Sequence, residues 1–118
     1  MTSLFERLGG EDGIVKISND IVENHNVNPL IKARFESSDH DKLKKMVSDF
    51  FITGSGGPAC YEGEGMLAVH KGMNISDNEY MAAVDDVMKA LDSNGIGDQE
   101  KSEVLYIFYQ LRPEVVAV

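Results

Sequence analysis

An all-α domain is what this 118-residue chain predicts, on three observations. Apolar residues recur at three- and four-residue steps along most of the sequence, as one face of a helix requires. No segment of useful length alternates with period two. The 11 glycines cluster between the apolar segments, and there are only 3 prolines, so chain-breaking residues act as loop punctuation.

The elements follow in order. Ser3 and Glu6 form a capping box for a very short first helix, ended by Gly9 and Gly10. A second helix is expected from about Glu11 to Asn26, with Ile14, Ile17, Ile21, Val22 and His25 on one stripe. Pro29 suits the first turn of a short helix reaching Phe35. From Asp41 to Thr53 the pattern is clearest: Leu43, Met46, Val47, Phe50, Phe51 and Gly54 share a face, while Lys42, Lys44, Lys45 and Asp49 oppose it. Ser38 or Asp39 can cap this helix, and Gly54, Gly56 and Gly57 stop it. Pro58 to Asp77 is irregular apart from an apolar turn at Met66 to His70. Ser76 and Glu79 open a further capped helix carrying Tyr80, Met81, Val84, Val87, Met88 and Leu91. The last helix begins near Asp98, carries Val104, Leu105, Phe108 and Leu111, and is expected to stop before Pro113. These two C-terminal helices should pack as an antiparallel pair. Residues 1–118 read as one domain.

Composition narrows the function. Hydrophobic residues make up 42% and charged residues 26%, enough to bury a small core. The net charge of −9 disfavours nucleic acid, whose phosphates need a basic face, and anionic membranes. Cys60 is the single cysteine, which excludes an intrachain disulfide and a cysteine-rich zinc site; it reads as a free thiol in a loop. No run approaches a membrane span, and the opening MTSLFERLGG reaches charge and glycine too early for a secretory signal. A cytoplasmic protein is expected.

No paired carboxylates, phosphate loop or nucleophile elbow stands out. Asp85 and Asp86 are adjacent, point to different sides of their helix and read as a solvated face. Of the three histidines, His40 lies among Asp39, Asp41 and Lys42 and reads as surface. His25 ends a helix, where it favours the dipole, and reads as surface or partly buried. His70 is set apart by Met66, Leu67, Ala68, Val69 and Met73 around it. Iron on one imidazole nitrogen and a backbone carbonyl on the other would satisfy both. By surroundings alone, a core histidine with protein partners remains the better account.

The ordered motifs change that weighting. The opening Leu4-Phe5-Glu6-Arg7-Leu8-Gly9-Gly10, the Gly56-Gly57-Pro58 turn and Tyr61-x-Gly63-x-x-Met66-x-x-x-His70-Lys71 together resemble the truncated haemoglobin family, its first group in particular. The resemblance implies two helix pairs crossed over one another around one haem b per chain, held noncovalently. It makes His70 the proximal iron ligand. Phe35 then lies against the haem face, and Leu43, Met46, Val47 and Phe50 form the distal wall. Tyr61, Met66, Met73 and Val87 complete the cofactor contacts, with Val84 beside Val87. Some members carry a sixth iron ligand at the place of Met46, which makes that thioether a low-ranked candidate here.

The likeness departs from the family on the distal side. Val22 stands where members often carry a tyrosine, and Leu43 and Val47 where glutamine is common. No histidine follows His70 to attach haem covalently. The reading is therefore reversible binding of oxygen, nitric oxide or carbon monoxide in an apolar distal pocket. A reductase-dependent nitric oxide dioxygenase or a peroxidase-like haem enzyme is the alternative, and a haem-free helical interaction module is the third. A monomer is expected, with a reductase as the one protein partner to consider.

Overall fold

The computed structural model describes residues 2–61 and 65–118. Six α-helices and one 3₁₀ turn are formed by these residues, with no strand among them beyond a single bridge between Ile75 and Val116. Helix α1 spans Leu4–Arg7, and Ser3 Oγ accepts from the Glu6 amide at 3.2 Å. Helix α2 runs over Gly10–Val27, a 3₁₀ turn over Lys32–Phe35 and α3 over His40–Gly54. Helix α4 is Met66–His70, α5 is Asp77–Ser93 and α6 is Asp98–Val115.

Local signals explain most boundaries. Asp39, not Ser38, caps α3 by accepting from the Lys42 amide at 3.2 Å. At α5 the capping box is complete: Ser76 Oγ accepts from the Glu79 amide, and Glu79 Oε1 accepts from the Ser76 amide, both at 3.1 Å. Two expectations are corrected. The turn before Phe35 begins at Lys32 rather than Pro29, and it is 3₁₀. Helix α6 continues through Pro113 to Val115. Proline removes one i→i−4 bond, but the turn beyond it is held because Val116 donates to Arg112 O at 2.9 Å and Val115 is buried in an apolar cluster.

Gly57 marks a close approach. A Cβ there would sit 2.5 Å from the Phe5 ring, so only glycine lets the α3 terminus lie against α1.

The helices form two antiparallel pairs. In the first, Glu23 of α2 meets Lys44 of α3, while Ile14, Ile17 and Ile21 share a cluster with Ile52 near the other end. In the second, Tyr80 of α5 donates its hydroxyl to the Phe108 carbonyl of α6. Leu91, a few turns later on α5, clusters with Val104, earlier on α6. The pairs cross where α2 packs on α5. There Ile14, Ile17, Ile21, Val87, Ala90, Leu91 and Val104 are almost fully buried. A second cluster of Ile75, Tyr80, Val84 and Val115 lies at the opposite end of the α5–α6 pair. Among the described residues no helix is long and apolar enough to cross a membrane.

Candidate functional site

A cavity of about 250 Å³ opens between the two helix pairs. The α3 wall is built by Leu43, Met46, Val47, Phe50 and Phe51, which the helix repeat places on one face. Ile21 and His25 face it from α2, and Arg34 and Phe35 from the 3₁₀ turn. Across the cavity stand Met66, Val69 and His70 of α4, with Glu79, Tyr80, Ala83 and Val87 of α5. Phe108, Leu111 and Val115 of α6 close the end. The wall is therefore overwhelmingly apolar, with a few polar groups at defined points.

His70 is one of those points. Its Nδ1 lies 2.8 Å from the Met66 carbonyl oxygen. A carbonyl only accepts, so Nδ1 carries the hydrogen and donates it, which leaves Nε2 as the nitrogen able to offer a lone pair. No hydrogen bond engages Nε2 among the described residues. This is the arrangement a metal-binding imidazole needs: one nitrogen fixes the ring, the other is available. Among the described residues no group of three histidine, cysteine, aspartate or glutamate side chains comes together to hold a bare ion. A single imidazole suits a porphyrin iron instead, because the macrocycle supplies four ligands itself.

Tyr61 is seated by Thr53 at the end of α3. Thr53 Oγ1 accepts from the Cys60 amide at 3.1 Å and the Tyr61 amide at 3.0 Å. The Tyr61 ring then meets Phe50 edge-on, with centroids 5.7 Å apart. Cys60 is a half-buried free thiol.

Phe35, Leu43, Met46, Val47, Phe50, Tyr61, Met66, His70 and Val87 are thus brought to one cavity. Three expected residues are not. Val22 is fully buried and off the wall, because one residue turns a helix by about 100° and Ile21 holds the wall position. Met73 is exposed and its side chain is off the wall; its amide donates to the His70 carbonyl at 3.0 Å and its carbonyl accepts from Arg34 Nη1 at 3.3 Å. Val84 points into the second cluster, and Ala83, one turn before Val87, takes its place. Gly63, part of the motif before His70, lies outside the described residues.

The polar pairings of three wall residues, Arg34, Glu79 and His25, were not expected. Arg34 pairs with Glu79 through both its Nε and its Nη2, the latter at 3.1 Å. The guanidinium holds the Glu79 carboxyl well below the usual range, at about 2. His25 donates from Nδ1 to Asp86 Oδ2 at 2.7 Å, and its side chain keeps only 12% of its exposure. Burial holds the imidazole below its ordinary pKa although Asp86 pulls the other way. Asp86 itself is 2% exposed, which corrects its reading as a solvated residue. Asn28 Nδ2 donates to both its oxygens at 3.1 Å. A larger cleft of about 520 Å³ lies on the far side of Asp86, lined by polar groups including Asn24, Asp85, Lys89 and Asp92. Val27, Pro29, Leu30, Ala82 and Met88 share its lining, which contains no histidine.

Comparison with known proteins places this geometry. The model of the bacterial-like globins matches residues 3–117. The chain belongs to the bacterial-like globin family. It is similar to the Group 1 truncated hemoglobin of Tetrahymena pyriformis, 25% identical over 114 residues, which span 97% of this chain and 94% of that protein. The crystal structure of truncated hemoglobin from Tetrahymena pyriformis in its Fe(III) form superposes with a TM-score of 0.95 at 25% identity, covering 99% of this chain and all of that one. The 2/2 hemoglobin of Synechococcus sp., solved in the cyanomet state with covalently attached heme, gives 0.90 at 22% identity, over 98% of each chain. The fold is therefore that of a truncated globin, two helices over two, and membership of this family implies a haem cofactor.

Proposed function

We propose that this globin binds one haem b noncovalently, with His70 as the proximal iron ligand, and that it reversibly binds oxygen, nitric oxide or carbon monoxide. The observation that carries the reading is His70 itself, at the wall of an apolar cavity with Nδ1 engaged by the Met66 carbonyl and Nε2 free. When bound, haem would be held through its iron by His70 and would supply the metal that takes up a small diatomic ligand. The protein's part is to hold the His70 imidazole in one orientation, and Phe35, Phe50 and Val87 would enclose the cofactor in apolar surroundings that keep water out.

The distal wall favours reversible binding over reductase-driven dioxygenase or peroxidase turnover. Leu43 and Val47 carry no hydrogen-bonding group, and turnover of that kind benefits from held, polarised oxygen. Met46 lines the same wall but is 36% exposed, a position that suits packing at the cavity edge better than iron ligation.

The test is addition of hemin to the purified apoprotein. A Soret band should grow to a one-to-one end point, shift on reduction under carbon monoxide, and leave the polypeptide on acid-acetone extraction. Titration without a defined end point would overturn the haem reading. Haem that stays with the polypeptide would overturn noncovalent attachment.

A further inference from the structure

Asp86 is a buried acid that the proposed haem chemistry does not use. It sits on α5 between Ala82 and Ala90, four residues to either side, and all three are nearly fully buried. Small residues at that spacing let α2 approach closely, which brings His25, Asn24 and Asn28 to one carboxylate. His25 Nδ1 donates to Oδ2 at 2.7 Å, Asn28 Nδ2 donates to both oxygens, and Asn24 Nδ2 donates to the Asp86 backbone oxygen at 3.1 Å. The imidazole is thereby tied to α5 through Nδ1. Its ring lies parallel to Phe35, with centroids 5.2 Å apart and planes 14° from each other. Both rings line the cavity. Phe35 ends a short 3₁₀ turn, an element with weak internal hydrogen bonding and no side-chain bond at its N-cap; its carbonyl is held by His40 Nε2 at 3.2 Å, and its ring is met by His25.

We propose that Asp86 is a positioning residue for the cofactor: through His25 it holds the Phe35 ring in one orientation, and that ring selects how an asymmetric porphyrin seats in the cavity. The proposal rests on the haem reading above. Two seatings related by a half-turn about the line joining opposite meso carbons differ only in where the vinyl and methyl groups fall, so a fixed aromatic edge can discriminate them. Losing one fixed aromatic contact with a bound group changes retention by roughly 2–10-fold.

The experiment compares the parent with Asp86→Leu, Asp86→Asn and His25→Leu, and with Ile17→Ala as a variant that lowers stability elsewhere. In the apoproteins, proton NMR follows cross-peaks between the His25 and Phe35 rings. In the hemin-loaded ferric cyanide forms, the haem methyl signals give the ratio of the two seatings, and transfer to an acceptor apoglobin gives the rate of haem loss. The parent and Asp86→Asn, whose amide oxygen can still accept from Nδ1, should show the ring cross-peaks and one dominant seating. Asp86→Leu should lose the cross-peaks, and both leucine variants should move toward equal seatings and lose haem roughly 2–10-fold faster. Ile17→Ala should keep the parental ratio. Parental seating in His25→Leu would overturn the proposal, as would a ratio that shifts equally in Ile17→Ala. Should Asp86→Leu not fold, His25→Leu and Asp86→Asn decide alone. A parent that binds no haem while its ring cross-peaks follow this pattern would refute the haem reading and leave the Asp86–His25–Phe35 support standing in the apoprotein.

Discussion

His25 shows how much a single side chain can change when it is placed. As the last residue of an apolar stripe it gives no sign of an acidic partner 61 positions away. Its depressed pKa has a consequence for stability. The folded state holds the proton less tightly than the unfolded chain, so the full contribution is present above the ordinary value of 6.5 and is lost as pH falls through the folded value. Glu79, also depressed, acts in a lower window, between its ordinary 4.5 and about 2. The urea midpoint of the apoprotein should therefore begin to drop as pH falls below 6.5, and His25→Gln should flatten that part of the profile while leaving the steeper loss below pH 4.5. The distal wall makes a second residue-scale prediction. Val22 lies off the cavity, so a polar group must enter at a position that faces it, and Val47 does. In the haem-loaded protein, Val47→Gln should slow oxygen release by about tenfold, the equivalent of one hydrogen bond of roughly 1.4 kcal/mol. Carbon monoxide release, measured alongside by stopped flow, should change much less.

At the scale of elements, helix ends were largely legible because their signals are local. Ser76 and Glu79 are three residues apart, and a box at that spacing needs nothing from the rest of the chain. Ser76→Ala should cost about 1 kcal/mol by urea unfolding. Pro113 was misleading for the opposite reason. Its local cost is offset by burial of Val115 against Ile75, Tyr80 and Val84, a tertiary contact that periodicity cannot reveal. The Ile21–Val22 ambiguity has the same origin. Both residues are apolar and buried, and only the packing of α2 on α3 and α5 decides which one faces the cavity. Gly57→Ala would place a methyl group inside the Phe5 ring's space. It should lower stability by roughly 1–3 kcal/mol as the α1–α3 contact shifts.

For the whole molecule, two antiparallel pairs crossing at α2 and α5 put the core at the crossing and the cavity beside it, with Ile21 and Val87 shared by both. The α-class, the antiparallel C-terminal pair and the apolar α3 wall could be read from spacing alone, since each is a repeat of three or four residues. The crossing of the pairs came from the ordered motifs and their likeness to truncated haemoglobins. The Asp86 cluster and the Arg34–Glu79 pair were not legible, because they join charged residues across 58 to 62 and 45 positions with no motif to link them. Leu91, fully buried at the crossing, should be costly to truncate: Leu91→Ala is expected to lose about 2–5 kcal/mol. The central claim, that His70 holds the iron of a haem in this cavity, is tested most directly by one measurement, the ferrous spectrum of His70→Gly with and without added imidazole. The spectrum of a histidine-ligated haem should disappear in the variant and return when imidazole occupies the space left by the side chain. An unchanged ferrous spectrum in His70→Gly without imidazole would contradict the assignment.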